Sequence, residues 1–364
     1  MRRDESLTYM REMLDKVDPR SIRGIFTEIL RVARQGKVLE LFRFIDNDYL
    51  VAIDGTDIFE SKKVHCNNCC EKKHRDGSIS YHHQILGGVL IHPDSRQVIP
   101  FCPEPIIKQD GKTKNDCELN AAYRFVKDFK HEHPQLKVTF TCDALYANAP
   151  FIHMLKKQNF GYIIVAKEGA NKTLFEWIKG IELKEYEIVV GSTTYSFRFI
   201  NNIPLNDTKD APSVNFFQCK EIKLIGKEKK EKQERNFSWV TSHHITEKNI
   251  FKLMRGGRTK WKVENETFNT LKNQGYHFEH NFGHGKKNLH TVFAFLMMSA
   301  FLIDQIAEIA DGLFQMARQE LISRRSLWEK MRGFFYTVLM NSWEDLFNRL
   351  TFGDNNPVAI HNTS

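Results

Sequence analysis

The sequence shows little of the N-terminal signal pattern of charged start and apolar core, and its seven cysteines are an odd set. A secreted domain built on disulfides is therefore not expected; a cytoplasmic protein with reduced thiols is. Long apolar runs are also missing. The most apolar stretch, Val292 to Ile309, contains Asp304 and Glu308 and follows His290. It is too polar and too short for a membrane span and reads as a buried helix. Internal repeats are absent. One Cys-x-x-Cys pair occurs without a distant second pair, which weakens any case for a zinc ribbon.

What is present is a chain of 364 residues, 41% hydrophobic and 27% charged. That is enough for a large core, organised as one main domain with smaller additions. A formal net charge of +8 and a pI near 9.0 suit a polyanionic partner, although charge alone also fits a solvated basic surface.

Residues 1–46 read as a helical segment. Asp18-Pro19 is a helix start, Ile22, Ile25, Phe26, Ile29 and Leu30 recur at helical spacing, and Gly36 ends the run. A strand then ends at Asp54. A long one covers about Ser78 to Ile91, turns at His92-Pro-Asp-Ser95 and pairs with Gln97 to Phe101. A helix is expected over Asn115 to His131, capped by Asn115 with Asp116 and Glu118 in its first turn, either of which could lie near a site. A strand ending at Asp143, a helix through Ile152 and Leu155, and the strand Gly161 to Ala166 follow.

Three strands, helix, strand, helix, strand is the order of the ribonuclease H-like α/β fold, whose first and fourth strands are neighbours. The core would cover 47–167 and resume at 246–310. Between them, 168–245 reads as an antiparallel β insertion, with alternating runs at Tyr186–Val190, Tyr195–Ile200, Val214–Ile225 and Phe237–Thr241. The run Lys227 to Arg235 reads as an exposed hairpin tip, solvated or in contact with DNA. Residues 311–364 are helical, with Phe314, Leu321, Trp328, Phe334 and Leu339 expected in a core or at a dimer or DNA-end contact.

That order brings Asp54 and Asp143 together at strand ends. Glu264 lies in a helical stretch, where Trp261, Glu264, Phe268 and Leu271 would share one packing face and Glu266 would point away. A carboxylate on a packing face needs a partner. Lys260, four residues earlier, offers a salt bridge; a divalent metal shared with the two aspartates is the alternative. Asp57 or Glu60 could replace Asp54, since Asp54-Gly55 is also a good turn dipeptide. Three convergent carboxylates can hold two Mg²⁺ or Mn²⁺ ions for phosphoryl transfer on nucleic acid.

Two further clusters stand out. His65, Cys66, Cys69 and His74 flank a Cys-x-x-Cys in a loop after the first strand, where Cys66, Cys69, His74 and either His65 or His82 could bind zinc, or the cysteines could simply be reduced. His277, Glu279, His280 and His284 sit among Gly275, Gly283 and Gly285, a loop suited to phosphate contacts or turn packing more than to metal.

The segments Leu50-Val-Ala-Ile-Asp54-Gly-Thr56, Thr141-Cys-Asp143-Ala-Leu-Tyr-Ala-Asn148, and Trp261-Lys-Val-Glu264-Asn265 with Phe268-Asn-Thr-Leu-Lys272 carry a resemblance. So does Gly275-Tyr-His-Phe-Glu-His-Asn-Phe-Gly-His-Gly285. From about Asp48 to Leu302 the chain resembles the DDE transposases of bacterial insertion sequences, in particular the cut-and-paste group with a β-strand insertion before the glutamate. Asp143 lies 89 residues after Asp54, and Glu264 lies 121 after Asp143 across the insertion.

The resemblance implies metal-dependent cleavage at transposon ends and strand transfer into target DNA, with Asp54, Asp143 and Glu264 as catalytic metal ligands. It also implies a homodimer on DNA in a bacterial, nucleoid-associated setting. Arg258, Lys260, Trp261 and Lys272 are the DNA-binding candidates; the group's arginine, tyrosine and lysine positions hold Lys260, Gly257 and Leu271 here, with Lys272 one place late. The stretch before the first aspartate is short for an end-recognition domain. A transposase-derived DNA-binding protein without recombination, or a nuclease of this fold without strand transfer, are the competing expectations.

Overall fold

The computed structural model describes residues 2–108, 115–225, 231–279, 283–321 and 323–353. At its centre the run that begins at Tyr49 is buried on both faces for six residues, Tyr49 to Asp54. That explains an apolar stretch without alternation: the strand has a layer on each side. This strand, β1 (Tyr49–Ser61), pairs antiparallel with β3 (Ile79–Ile91) and parallel with β6 (Val138–Cys142), which pairs parallel with β7 (Gly161–Val165). Short strands β4 (Ile99–Pro100) and β5 (Glu104–Ile106) lie along β3, and β2 (Cys70–Lys73) extends its outer end. The expected neighbours, first and fourth strands of the fold, are β1 and β6. This is a mixed α/β architecture of ribonuclease H-like type, with a large mixed sheet flanked by helices.

Helix α3 (Glu118–Glu132) packs on one face through Phe125 and Phe129, and α4 (Ala149–Lys157) joins β6 to β7. The N-cap of α3 is Cys117 rather than Asn115. Asn115 is taken up by the backbone of β2, accepting from Glu71 N at 3.0 Å and donating to Glu71 O at 2.5 Å.

The insertion continues the same sheet. After helix α5 (Lys172–Lys179), strands β8 (Lys184–Val190), β9 (Thr193–Pro204), β10 (Ser213–Ile225) and β11 (Glu231–Thr241) form a meander. Its last strand, β11, pairs antiparallel with β7, giving the order β2-β3-β1-β6-β7-β11-β10-β9-β8. The β10–β11 arms pair out to Ile225 and Glu231, so the second arm begins earlier than its apolar residues suggested. Of the basic run, 226–230 lie outside the described residues.

Helices α1 (Arg2–Asp15) and α2 (Arg23–Gln35) precede the sheet. Asp18 starts the turn into α2 by accepting from Arg20 N at 2.9 Å, and Gly36 caps its end. Ile22, Phe26 and Leu30 face the core, but Ile25 lies on the outer side. Helix α8 (Leu289–Ala310) has the length and hydropathy of a membrane span, yet Val292, Phe295, Met298, Phe301 and Leu302 are buried in the main core. Gln305, also buried, accepts from Val98 N at 3.0 Å.

Helices α9 (Gly312–Glu320), α10 (Arg324–Thr337) and α11 (Trp343–Phe352) gather a second small core around Phe314, Leu321, Leu327, Met331 and Leu346. Trp328 and Phe334 pack at its edge. Leu339, expected inside, is 88% exposed because it follows the end of α10.

Candidate active site and candidate metal centre

Asp54 and Asp143 each lie two residues beyond Ala52–Thr141, the last parallel pair of β1 and β6. Equal offsets on parallel neighbours put both side chains on the same side of the sheet. Asp143 ends β6, where its carboxylate caps a short turn by accepting from Leu145 N at 2.9 Å. Asp54 is not at a strand end: β1 runs on to Ser61 as a two-stranded ribbon with β3. It marks where β1 loses its β6 neighbour, which is why the apolar run stops there. Asp57 and Glu60 lie farther out on that ribbon and face His82, at 3.3 and 3.9 Å. Neither takes the place of Asp54.

Glu264 approaches from the other side. It sits in a π-helical segment, Val263–Phe268, continuous with α7 (Asn269–Asn273) and preceded by α6 (Ile250–Arg258). The expected shared face of Trp261, Glu264, Phe268 and Leu271 does not form. A π turn carries more residues than an α turn, so the 100° count fails across it. Phe268 and Leu271 are buried, whereas the Glu264 side chain is 60% exposed and Trp261 45% exposed. Glu266 pairs with Arg96 at 3.5 Å.

One glycine and one lysine dock this segment. A Cβ on Gly87, the β3 partner of Asp54, would lie 2.8 Å from Phe268 Cζ. The bare glycine lets Phe268 lie against β3, and Glu264 is thereby brought to Asp54. Lys262, buried, holds the other end by donating to His92 O at 2.6 Å and to Ser95 O, in the turn after β3.

Lys260 joins the acids. Its Nζ lies 2.8 Å from Asp54 Oδ2 and 3.3 Å from Glu264 Oε1. The expected Lys260–Glu264 bridge therefore forms, and includes Asp54. Burial pushes the Asp54 carboxyl up to about 7; Lys260 opposes this, while Glu264 and Glu118 add to it. Glu264 is pulled below the usual carboxylate range by its hydrogen bond with Asp54 and by Lys260, so the pair holds its proton on the Asp54 side. Burial would lower the Lys260 ammonium, but Asp54, Asp143 and Glu264 outweigh it and raise its pKa.

Glu118, in the first turn of α3, is a fourth acid at the site; a Cβ on Gly55 would lie 2.6 Å from its Oε2. Its Oε1 accepts from the buried Tyr146 hydroxyl at 2.7 Å, and burial with the Glu118 charge keeps that phenol protonated. Asp116 points elsewhere, to Arg124 at 2.6 Å. The signals for Glu118 were the glycine after Asp54 and the tyrosine three residues after Asp143.

The remaining DNA-binding candidates divide. Trp261 is half-exposed, with Lys262 Nζ 5.8 Å from its ring centroid, so it is not core. Arg258 is held by Glu221 of β10 and stacks over Phe237 with 4.4 Å to the ring centroid. Lys272 pairs with Glu279 at 2.6 Å.

The donor set suits hard divalent cations: the Asp54 and Glu264 carboxylates meet at the Lys260 ammonium, the second on an exposed arm, and Asp143 stands in register with Asp54 on the neighbouring strand. A pH test follows. A carboxyl whose folded pKa lies above its unfolded value binds more protons when folded, so its contribution is fullest below about 4 and is lost as pH rises to about 7. Without divalent ions, the protein loses about 1–3 kcal/mol across that window relative to Asp54→Asn, and Mg²⁺ restores stability at pH 8 in the native protein only. Parallel urea titrations of both proteins at pH 5 and 8 check this; identical pH slopes would remove Asp54 as the buried acid.

The second cluster is not the one expected. His74 and His82 both hydrogen-bond to Ser80, at 2.8 and 2.6 Å, and His65 stacks on Tyr81. Those bonds draw them away from Cys66 and Cys69. The partners of the cysteines are His83 on β3 and His284 after α7: Cys66 Sγ lies 3.3 Å from His83 Nε2, and Cys69 Sγ 3.5 Å from His284 Nε2. The glycine-histidine loop therefore contributes His284 to a cysteine cluster, while Glu279 pairs with Lys272 and His280 lies outside the described residues. His83 had no sequence signal, and His284 stood out only within its own glycine-histidine loop, because neither histidine is near the Cys-x-x-Cys in the chain. No protein-family model matches the chain, and a search of curated proteins gave no significant match.

Proposed function

We propose that the chain is a DNA transposase of the DDE type, which cleaves at transposon ends and transfers the freed strand into target DNA. The observation that carries this reading is the meeting of Asp54 and Glu264 at Lys260 above the parallel β1–β6 pair, beyond which Asp143 stands in register with Asp54. Asp54, Asp143 and Glu264 would hold Mg²⁺ or Mn²⁺. Such ions would supply Lewis acidity toward a water or 3′-hydroxyl nucleophile and toward the departing oxygen.

The chain's own residues position and balance charge. Glu118 behind Gly55 adds negative charge that favours cation capture. Lys260 keeps the acids together and offers an ammonium for phosphate, as a point charge without the bidentate fork of arginine. Trp261 offers a face on which an unpaired base can stack. The basic balance of +8 supports a DNA partner, and paired cutting of two ends implies a homodimer on DNA.

A supercoiled plasmid carrying the DNA that flanks this reading frame tests the proposal, incubated with Mg²⁺, Mn²⁺ or EDTA. Metal-dependent breaks at the repeat boundaries, followed by joined target products, are expected. Breaks without joined products would indicate a nuclease. Specific binding without breaks would indicate a transposase-derived DNA-binding protein.

A further inference from the structure

We propose that Cys66, Cys69, His83 and His284 form a structural zinc site that clamps the segment after the Glu264 helix onto the β1–β3 ribbon. Four soft donors come from three separate parts of the chain: the loop after β1, strand β3, and the stretch leading into α8. Their ligand atoms all lie within 4.8 Å of one another.

Three of the six edges of this cluster are close to those of a zinc tetrahedron. Zn–S bonds of about 2.3 Å and Zn–N bonds of about 2.0–2.1 Å at tetrahedral angles require S···S near ~3.8 Å and S···N near ~3.6 Å. Cys66 Sγ and Cys69 Sγ are 3.8 Å apart, and the two sulfur–nitrogen edges are 3.3 and 3.5 Å. A disulfide would need the sulfurs at about 2.05 Å. Cys66 N donates to Cys69 Sγ at 3.3 Å, and Cys69 N to Cys66 O at 3.1 Å, so the Cys-x-x-Cys turn already aims both sulfurs inward.

Burial argues the same way. His83 is 1% exposed and His284 8%, and both present Nε2 to sulfur. Polar groups taken this far from water need strong partners, and thiol–imidazole contacts alone are weak ones. Two thiolates and two neutral imidazoles satisfy zinc fully, with no position left for water or substrate, so the role is structural. The donors also exclude the ions suited to the carboxylates, since sulfur and imidazole select zinc over magnesium. Binding releases the two thiol protons to solvent, and the metal undergoes no change of oxidation state.

The surroundings are built to hold this junction. Phe59 of β1 lies 4.3 Å from the His284 ring, measured between centroids. Asn68 Nδ2 donates to Lys287 O at 2.9 Å, and Asp15 accepts from the backbone of Lys286, Lys287, Asn288 and Leu289. Loop 62–69 and the start of α8 therefore meet on side chains already in place. The clamp lies on the same ribbon as Asp54, and the segment it holds is the one that follows Glu264. It stands independently of the transposase reading.

The test is metal analysis of the full chain purified under reducing conditions without chelator. About one zinc per chain is expected, and cobalt substitution should give the visible bands of a tetrahedral thiolate site. Cys66→Ser and His284→Ala should each lose the metal, whereas His74→Ala and Cys70→Ser should keep it. Cys70 is a fair control because its thiol faces Ile106 O at 3.7 Å. Wild-type protein with neither stoichiometric zinc nor the cobalt bands overturns the proposal, whether or not the variants fold. So does an intact mass two hydrogens low from a Cys66–Cys69 disulfide in protein without zinc, or metal lost with His74→Ala but kept with His284→Ala.

Discussion

Asp143→Ala protein should show no Mg²⁺-dependent cleavage of end-bearing DNA, a loss of at least about 10³-fold. Its affinity for that DNA in EDTA should be nearly unchanged. The magnitude follows from what is removed. Deleting a single hydrogen-bond donor to a transition state costs about 10²–10³, and removing groups that merely support a metal ligand costs about 10–100. A direct ligand of a shared cation should exceed both.

The stability cost is small because Asp143 is half-buried and, among the described residues, its structural duty is the cap on Leu145 N, worth about 1 kcal/mol. That separation makes Asp143 the cleanest of the three acids to test. Asp54→Ala would also strand the Lys260 ammonium, and Glu264→Ala would remove one of its two partners. Gel-resolved cleavage rates with a melting curve on the same preparation decide the matter. Ordinary cleavage by a folded Asp143→Ala protein would remove this residue from the site and the proposed mechanism with it.

Asp54 and Asp143 were legible in the sequence because each ends an apolar run whose length and order are set by the fold. A central strand covered on both faces must be apolar along its whole buried length, and the first polar residue then marks where cover ends. Glu264 was legible for a different reason: it stands amid residues that must pack. Its actual setting was not legible, because a π turn leaves no mark in the period of apolar residues. Counting at 100° per residue placed Trp261 and Glu264 on the buried face, and the extra residue in the turn moved both outward.

The metal cluster shows the complementary limit. Cys66 and Cys69 are close in the chain and could be paired by inspection. His83 and His284 reach them only through strand register and the docking of α8, with Phe59 opposite His83 on the ribbon. His74 and His82, nearer in sequence, are claimed by Ser80. Proximity along the chain is a poor guide wherever a nearby hydroxyl offers a histidine another partner.

The second large effect should come from a residue with no side chain. A Cβ on Gly88 would lie 2.0 Å from Phe125 Cζ, in a place where Phe125 is 1% exposed between β3 and α3. Phe125 cannot swing to solvent, so Gly88→Ala must shift the helix or force the ring off its rotamer. We expect a loss of about 3 kcal/mol or more in urea denaturation, at the upper end for overpacked cores. Gly333→Ala serves as the opposite case: it lies exposed within α10, a Cβ there meets nothing within 4 Å, and it should gain about 0.5–1 kcal/mol.

Gly87→Ala separates stability from function. Its Cβ meets the tip of Phe268 at 2.8 Å, and that ring belongs to the segment that carries Glu264. The easier relaxation is for the segment to lift from the sheet. Stability should then fall less than for Gly88→Ala, while cleavage falls more than the stability loss explains, because Glu264 moves with Phe268. If Gly87→Ala cleaved normally at unchanged stability, the docking of Phe268 on β3 would not be what holds the third carboxylate in place.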